Sequence, residues 1–378
     1  MLLTFNNVDF IDVKKKHKTY VSGSNSSVTK QKISDLILCE VNHNLDVFDF
    51  IQKHVDICLE TTFVTSTAEK FNIQKLTEIH YASLINLKKI NDIRFINKFF
   101  ETVNAKLPNS GIYIGVVATH PNRKKAIIEK YPAVLNRLIY TADYIFTRVL
   151  PKLSLTKRLY FYLTKGKGRV LSRAETYGRL YACGFEVLEE KSINNLLYFA
   201  VKKVKDPVFD CDPSYGALIR LKRIGKHGHK FNVLKFRTMH PYSEYLQEYL
   251  YKQNMLQKGG KIKNDFRISP EGRVLRKFWI DEIPMFINIL RGDMKLVGVR
   301  PLSAHFFSLY DSDLQKLRTQ VKPGLVPPFY ADMPDTIDEI MISERKYLFA
   351  YEKSPILTDL KYFFLAFKNI LFKGARSS

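Results

Sequence analysis

The stretch Lys277–Gly292, "KFWIDEIPMFINILRG", decides how the C-terminal half of this 378-residue chain is read. Pro284 suits the first turn of a helix, where an amide proton would have no partner and a fixed φ is already helical. Apolar residues continue from Met285 to Leu290, and Gly292 fits the position just beyond a helix end. The stretch therefore predicts a helix whose start carries Asp281 and Glu282, side by side between two isoleucines. The positive end of a helix dipole favours ionised carboxylates. Such a pair has two readings. It can cap the helix and do nothing else, or one carboxylate can hold Mg²⁺ while the other attacks phosphorus.

Working outward, the flanking segments read "RIGKHGHKFNVLKFRTM" (223–239), "DFRISPEGRVLRKFWIDEIPMFINILRGDMKLVGVRPLS" (265–303) and "VKPGL" (321–325). In this order they resemble the motifs of the bacterial sugar transferases, the monotopic phosphoglycosyl transferases. Those motifs are R-x-G-x-x-G-x-x-F, K-F-R-T-M, D-x-R-x-T, G-x-x-L-R, D-E-L-P-Q, N-x-L-x-G-D-M-S-L-V-G-P-R-P and then a P-G segment. The resemblance spans residues 216–325 and implies an α+β catalytic domain. It implies that Asp281 is the nucleophile on the β-phosphate of a nucleoside-diphosphate sugar, a UDP-sugar, and that Glu282, with Asp281, holds Mg²⁺. The phosphosugar would then pass to a polyprenyl phosphate or another lipid-linked acceptor, initiating a surface glycan. Arg276 and Arg300 correspond to the family's phosphate-contacting arginines, and guanidinium suits bidentate phosphate binding. Lys235 and Arg237 stand between two readings: added positive charge for the substrate phosphates, or salt bridges to Asp265 or Asp293.

The sequence departs from the family pattern in four places. Trp279 stands where a serine is usual, and Val299 replaces the proline of G-P-R-P. "PGLVPPFYADMP" (323–334) replaces P-G-I-T-G-x-x-Q. The apolar re-entrant segment expected before the R-x-G-K block gives way to "SYGALIRLKR". Residues 358–373, "TDLKYFFLAFKNILFK", place Leu360, Phe363, Phe364, Phe367, Ile370 and Leu371 at helical spacing among lysines. This amphipathic helix fits either an anionic membrane interface or the protein core. "HPYSEYLQEYLYKQN" (240–254), with Tyr242, Tyr245, Tyr249 and Tyr251, reads as core packing, as a lid or as a contact to lipid headgroups.

The N-terminal half has a different grammar. Strand-like "DLILCEV", "TTFVTST" and "GIYIGVVAT" alternate with helical "RFINKFFETVNAKL" and "SRAETYGRLYACG", the latter capped by Ser172 and Gly184. "FEVLEEKSINNLLYFAVKKV" reads as a hairpin turning at Asn194–Asn195. Alternation of this kind predicts a Rossmann-like, three-layer α/β domain over 35–206. It follows a basic irregular arm (1–34) and precedes a linker (207–216) and the catalytic domain (217–378). The closing helix and hairpin resemble the end of a class I methyltransferase-type Rossmann domain. The first hundred residues hold one glycine, Gly23, so no glycine-rich cofactor loop is present and S-adenosylmethionine binding is not expected.

The formal net charge is +23, with the excess in both halves, which suits anionic partners. No nucleic-acid motif accompanies it, and nucleic acid is not an expected partner. Four cysteines without C-x-x-C pairs read as buried thiols rather than a zinc site. No apolar run reaches the roughly 20 residues that span a bilayer. The expected place is therefore the inner face of a bacterial membrane, peripherally bound from the cytoplasm. The alternative is a catalytically inactive, transferase-like scaffold in polysaccharide assembly.

Overall fold

The computed structural model describes residues 19–21, 34–35, 37–40, 44–76, 81–209, 215–252 and 265–373. Most of the expected arm, linker residues 210–214 and Cys211 lie outside them. The chain divides into two compact units, one of residues 1–215 with 240–249, the other of 216–239 with 250–378. Both helix and strand contribute to each, and the fold is α/β.

The main elements of the first unit are β1 (Thr19–Val21), α1 (Leu45–His54), β2 (Thr62–Thr65), β3 (Ser83–Lys89), α2 (Ile96–Lys106), β4 (Ile112–Val117), α3 (His120–Lys130), α4 (Ala133–Tyr144), α5 (Ser154–Thr164), α6 (Arg173–Ala182), β5 (Phe185–Ile193) and β6 (Leu196–Lys203). They build a six-stranded sheet of order β1-β2-β3-β4-β6-β5. Strands β2, β3 and β4 are parallel, whereas β1 pairs antiparallel with β2 and β6 runs antiparallel to both β4 and β5.

Alternate strand residues feed two cores. Val64, Ile85 and Ile114 pack with Val47, Phe50 and Ile51 of α1 on one face. Tyr113 meets Phe100 of α2, Phe185 and Phe199 at ring-centroid distances of 6.0 Å on the other. The Asn194–Asn195 turn closes the hairpin with both residues at positive φ (47° and 58°), the geometry of a two-residue turn matched to strand twist. Ser172 Oγ accepts from Glu175 N (3.0 Å) at the start of α6, and Gly184 takes φ 83° at its end, as the capping residues predict.

Three sequence expectations fail here. "DLILCEV" is not a strand: residues 37–40 are helical, with Ile37 buried against α1. A short apolar run fits a buried strand or a helix equally well, and periodicity cannot separate them. Part of the expected arm is ordered, since Thr19–Val21 forms an edge strand. Of the thiols expected to be buried, Cys183 is, but Cys39 is exposed.

His240–Tyr249, which the sequence places inside the catalytic domain, packs with the first unit. Tyr242 lies under Arg179, whose guanidinium carbon is 4.3 Å from the ring centroid. Leu246 is fully buried, and Tyr249 meets Tyr177 edge-on at 6.2 Å. Arg148 Nη2 lies 2.7 Å from His240 Nδ1. Only glycine fits at 178, where a Cβ would stand 2.1 Å from Tyr242 O. The Tyr242 and Tyr249 side chains thus have the packing role; that of Tyr251 lies outside the described residues.

The second unit begins with a hairpin of β7 (Leu218–Ile224) and β8 (Lys230–Phe236), joined through the Gly225–Gly228 turn of the R-x-G-K block. Helix α7 (Pro270–Lys277) and α8 (Met285–Leu290) flank the dyad. A parallel pair, β9 (Lys295–Val297) and β10 (Gly324–Val326), follows. Then come α9 (Phe329–Asp332), α10 (Ile337–Lys353) and α11 (Pro355–Lys373).

Candidate active site

Asn288, fully buried in the apolar run of α8, sets the geometry. Its Oδ1 accepts from Leu234 N (3.0 Å), while its Nδ2 donates to Asn232 O (2.8 Å) and Asp293 Oδ2 (3.2 Å). These bonds fix α8 against β8, with Met285, Met294 and Val233 as the apolar seam. The segment ahead of α8 is thereby brought to Lys235. Sequence reasoning passed over Asn288, although an amide inside "MFINIL" was the available signal.

The dyad does not sit in the helix proper. Ile280–Glu282 forms one tight 3₁₀ turn, and Pro284, with helical φ −60°, caps α8. Trp279 enters the turn at φ 60°, ψ 15°, a left-handed conformation uncommon for a bulky side chain and typical of strained functional positions. The Trp279 ring is held against Tyr330 at a centroid distance of 5.0 Å.

Around the dyad, Lys235 Nζ lies 2.6 Å from Glu282 Oε1, and Arg300 Nη2 lies 3.7 Å from the same oxygen. Burial pushes the Asp281 carboxyl above its ordinary range. Lys235 and Arg276 pull it back, and the Glu282 charge raises it further. A half-buried carboxylate beside another acid depends on neighbouring cations as well as on the helix start. Burial likewise pulls Lys235 down, against the opposing pull of Glu282.

Arg276 Nε donates to Thr238 Oγ1 (2.9 Å), and its guanidinium is partly desolvated and felt by Asp281. Arg237 Nε donates to Gly216 O (2.8 Å), tying the open end of the hairpin. For Lys235, the salt bridge formed is to Glu282, while Asp265 pairs with Arg267 (2.8 Å) and Asp293 accepts from Asn288. The structure therefore brings Lys235, Arg276 and Arg300 around the two acids.

Helix α7 reaches this place by close approach. Ser269 caps it, accepting from Gly272 N (3.0 Å), and Ser269 N donates to Thr238 O (3.0 Å). A Cβ on Gly272 would stand 1.9 Å from Thr238 O. Gly272→Ala is therefore expected to lift α7, cost about 1–3 kcal/mol of stability and loosen Arg276 from Thr238. Denaturant unfolding checks it, and an unchanged midpoint would count against the close approach.

The departures at Trp279 and at 323–334 meet one another. Trp279, Phe329 and Tyr330 form an aromatic wall beside the dyad, with Ala366 and Ile370 of α11 behind it. Arg300 lies over the Phe329 ring, 6.0 Å from its centroid. Asn369 of α11 donates to Tyr330 O (3.0 Å) and Ala331 O (2.8 Å). Behind Arg300, Arg318 donates to the Arg300 carbonyl and pairs with buried Glu344.

For Mg²⁺ the donor set fits a shared site. Mg²⁺ is usually held by one or two carboxylates with substrate phosphates and waters, and Asp281 and Glu282 supply such a pair. Both cations meet Glu282 through Oε1. No group of three or more His, Cys, Asp or Glu side chains placed to hold a metal occurs among the described residues.

Comparison with known proteins decides the family. Residues 208–373 match the family described as Bacterial sugar transferase. This region is similar to the bacterial sugar transferases. The galactosyl transferase CpsE of Streptococcus agalactiae is 34% identical over 159 residues, covering 41% of this chain and 34% of that protein. The undecaprenyl-phosphate galactose phosphotransferase of Salmonella typhimurium is 28% identical over 272 residues, 70% of this chain and 52% of that protein. The sugar transferase EpsL of Bacillus subtilis is 36% identical over 119 residues, 29% of this chain and 52% of that protein. The chain spans between a third and about half the length of these curated relatives. In this sugar transferase region, no helix of the described residues is long and apolar enough to cross a membrane.

Proposed function

We propose that the sugar transferase region moves a sugar-1-phosphate from a UDP-sugar to a polyprenyl phosphate, at the cytoplasmic face of a bacterial membrane, in exopolysaccharide, capsule or O-antigen synthesis. The names of the relatives support the reaction class. The observation that carries it is the half-buried Asp281 beside Glu282, faced by Lys235, Arg276 and Arg300.

In this reading an Asp281 oxygen attacks the β-phosphorus, the bond to the bridging oxygen breaks, and UMP leaves with the electron pair. The sugar phosphate is held on Asp281 as an acyl phosphate. An oxygen of the polyprenyl phosphate then attacks the same phosphorus and frees the Asp281 carboxylate. No water is consumed and one phosphoanhydride replaces another, so catalysis rests on alignment and on neutralising phosphate charge. Arg276 and Arg300 orient the diphosphate, while Lys235 holds Glu282 in place and keeps Asp281 ionised. Mg²⁺ bound by Asp281 and Glu282 would neutralise the phosphate oxygens. The test is UMP release from UDP-sugars with undecaprenyl phosphate and Mg²⁺; no turnover with any donor would reject the reading.

Helix α11 supplies the lipid-facing surface in this proposal. Thr358, Tyr362, Ala366 and Asn369 face inward, while Leu360, Phe364, Phe367 and Leu371 are exposed among Lys361 and Lys368. The inward face meets the core-packing reading, and the exposed face is the one this proposal assigns to the lipid. Replacing Phe364, Phe367 and Leu371 by glutamine is expected to weaken co-sedimentation with vesicles containing phosphatidylglycerol by about tenfold or more. Unchanged binding would remove α11 from the membrane contact.

A further inference from the structure

The first unit carries a surface that neither its sheet nor the transfer reaction uses. Residues 120–167 hold eleven lysines and arginines against two acids, Glu129 and Asp143. Asp143 is engaged by Arg123 (2.5 Å) and Glu129 by Lys125 (3.8 Å), so the segment keeps a large excess of positive charge.

The same segment turns aliphatic side chains outward. On α4, Val134 and Leu138 are four residues apart and 79% and 65% exposed. On α5, Leu155, Leu159, Tyr162 and Leu163 share one face at exposures from 60% to 93%, while Tyr160, two positions round the helix, is buried. Lys157 and Arg158 lie exposed between the leucines, Arg137 is exposed on α4, and Lys165 and Lys167 follow α5. Scattered surface leucines need no explanation, but apolar stripes on two consecutive helices of a strongly basic segment do.

The geometry points to a binding surface for an anionic lipid bilayer on α4 and α5 of the first unit. An acidic protein would answer the charges but leave the leucines and valine half-used. A bilayer with anionic headgroups answers both, taking the aliphatic stripes and Tyr162 at its boundary and the lysines and arginines at its headgroups. This surface belongs to a different unit from α11, and it stands whether or not residues 208–373 transfer phosphosugars.

The full chain should be co-sedimented with phosphatidylcholine vesicles, with and without 30% phosphatidylglycerol. The variants are Leu155→Gln/Leu159→Gln/Leu163→Gln and, separately, Lys157→Glu/Arg158→Glu. The second pair is exposed on α5 and changes no buried side chain. Each is expected to lower binding to the anionic vesicles about tenfold or more, with circular dichroism and melting unchanged. UMP release from a soluble donor without vesicles should stay as in the wild type. Wild-type binding by the charge-reversal variant would overturn the proposal, as would binding indifferent to phosphatidylglycerol. If sedimentation instead shows a dimer that these variants abolish while vesicle binding persists, the surface joins two copies of the chain and the proposal is wrong.

Discussion

Asp281→Asn is expected to abolish transfer, lowering UMP release by at least about 10³-fold, a loss of roughly 4 kcal/mol of transition-state stabilisation. Asparagine keeps the shape of the side chain but offers no anionic oxygen to phosphorus. Wild-type protein supplied with UDP-sugar and no lipid acceptor should release a burst of UMP of at most one equivalent, because the phosphosugar stays on Asp281. The variant should give no burst. Activity within a few-fold of wild type would show that another group attacks.

The same substitution is not expected to weaken the fold. Burial outweighs the opposing Lys235 charge and leaves the folded-state pKa of Asp281 raised. A raised carboxyl pKa stabilises the folded state below the ordinary carboxylate range, and that stabilisation is lost as pH rises through the folded value. At neutral pH the ionised group is therefore a net burden, which asparagine removes. Equal or slightly higher resistance to denaturant, together with lost turnover, would separate a reacting group from a structural one.

Glu175→Gln should have the opposite character: a large loss of stability in the first unit. Glu175 is fully buried on α6, with Arg179 Nη2 at 2.9 Å from Oε1 and Arg148 Nη1 at 3.9 Å from Oε2. Burial alone would raise its pKa, but Arg179, Lys152 and Arg148 outweigh it and hold the carboxyl down at about 2. Glutamine leaves buried guanidinium groups without a counter-charge, a change that costs about 3–5 kcal/mol. The pH dependence follows from the depressed value. The stabilisation is present above the unfolded carboxyl range and is lost as pH falls toward about 2. Wild-type unfolding free energy should therefore decline on acidification below about pH 5 more steeply than that of Glu175→Gln. Parallel curves, or a loss well under 1 kcal/mol at pH 7, would show that the cluster is solvated.

Much of the architecture was legible because residue pattern and local geometry agree. The α6 caps, the Asn194–Asn195 turn and the helix after Pro284 each depend on a few neighbouring residues, and each forms as those residues predict. The misread "DLILCEV" is an apolar run whose state is chosen by its packing on α1, which no local rule contains. In the candidate site, Lys235, Arg276 and Arg300, all named by motif, gather at the dyad. What the sequence could not supply were the partners. Lys235 was matched with the wrong acids, because the Asn288 clamp that turns β8 toward Glu282 acts across more than fifty residues. The link between Trp279 and Tyr330 was likewise hidden: two departures from a motif look independent until the chain brings them within one stacking distance.

The course of His240–Tyr249 bears on how such a protein can be divided or recombined. This segment lies inside the stretch that matches the family, yet its side chains are housed by α6 and its neighbours in the first unit. A fragment starting at Gly216 would carry Tyr242, Leu246 and Tyr249 with no partners for them, a sticky decapeptide that invites aggregation. A chimaera that exchanged only residues 1–215 would face the same mismatch. A graft between relatives therefore has to carry the decapeptide along with the unit that houses it.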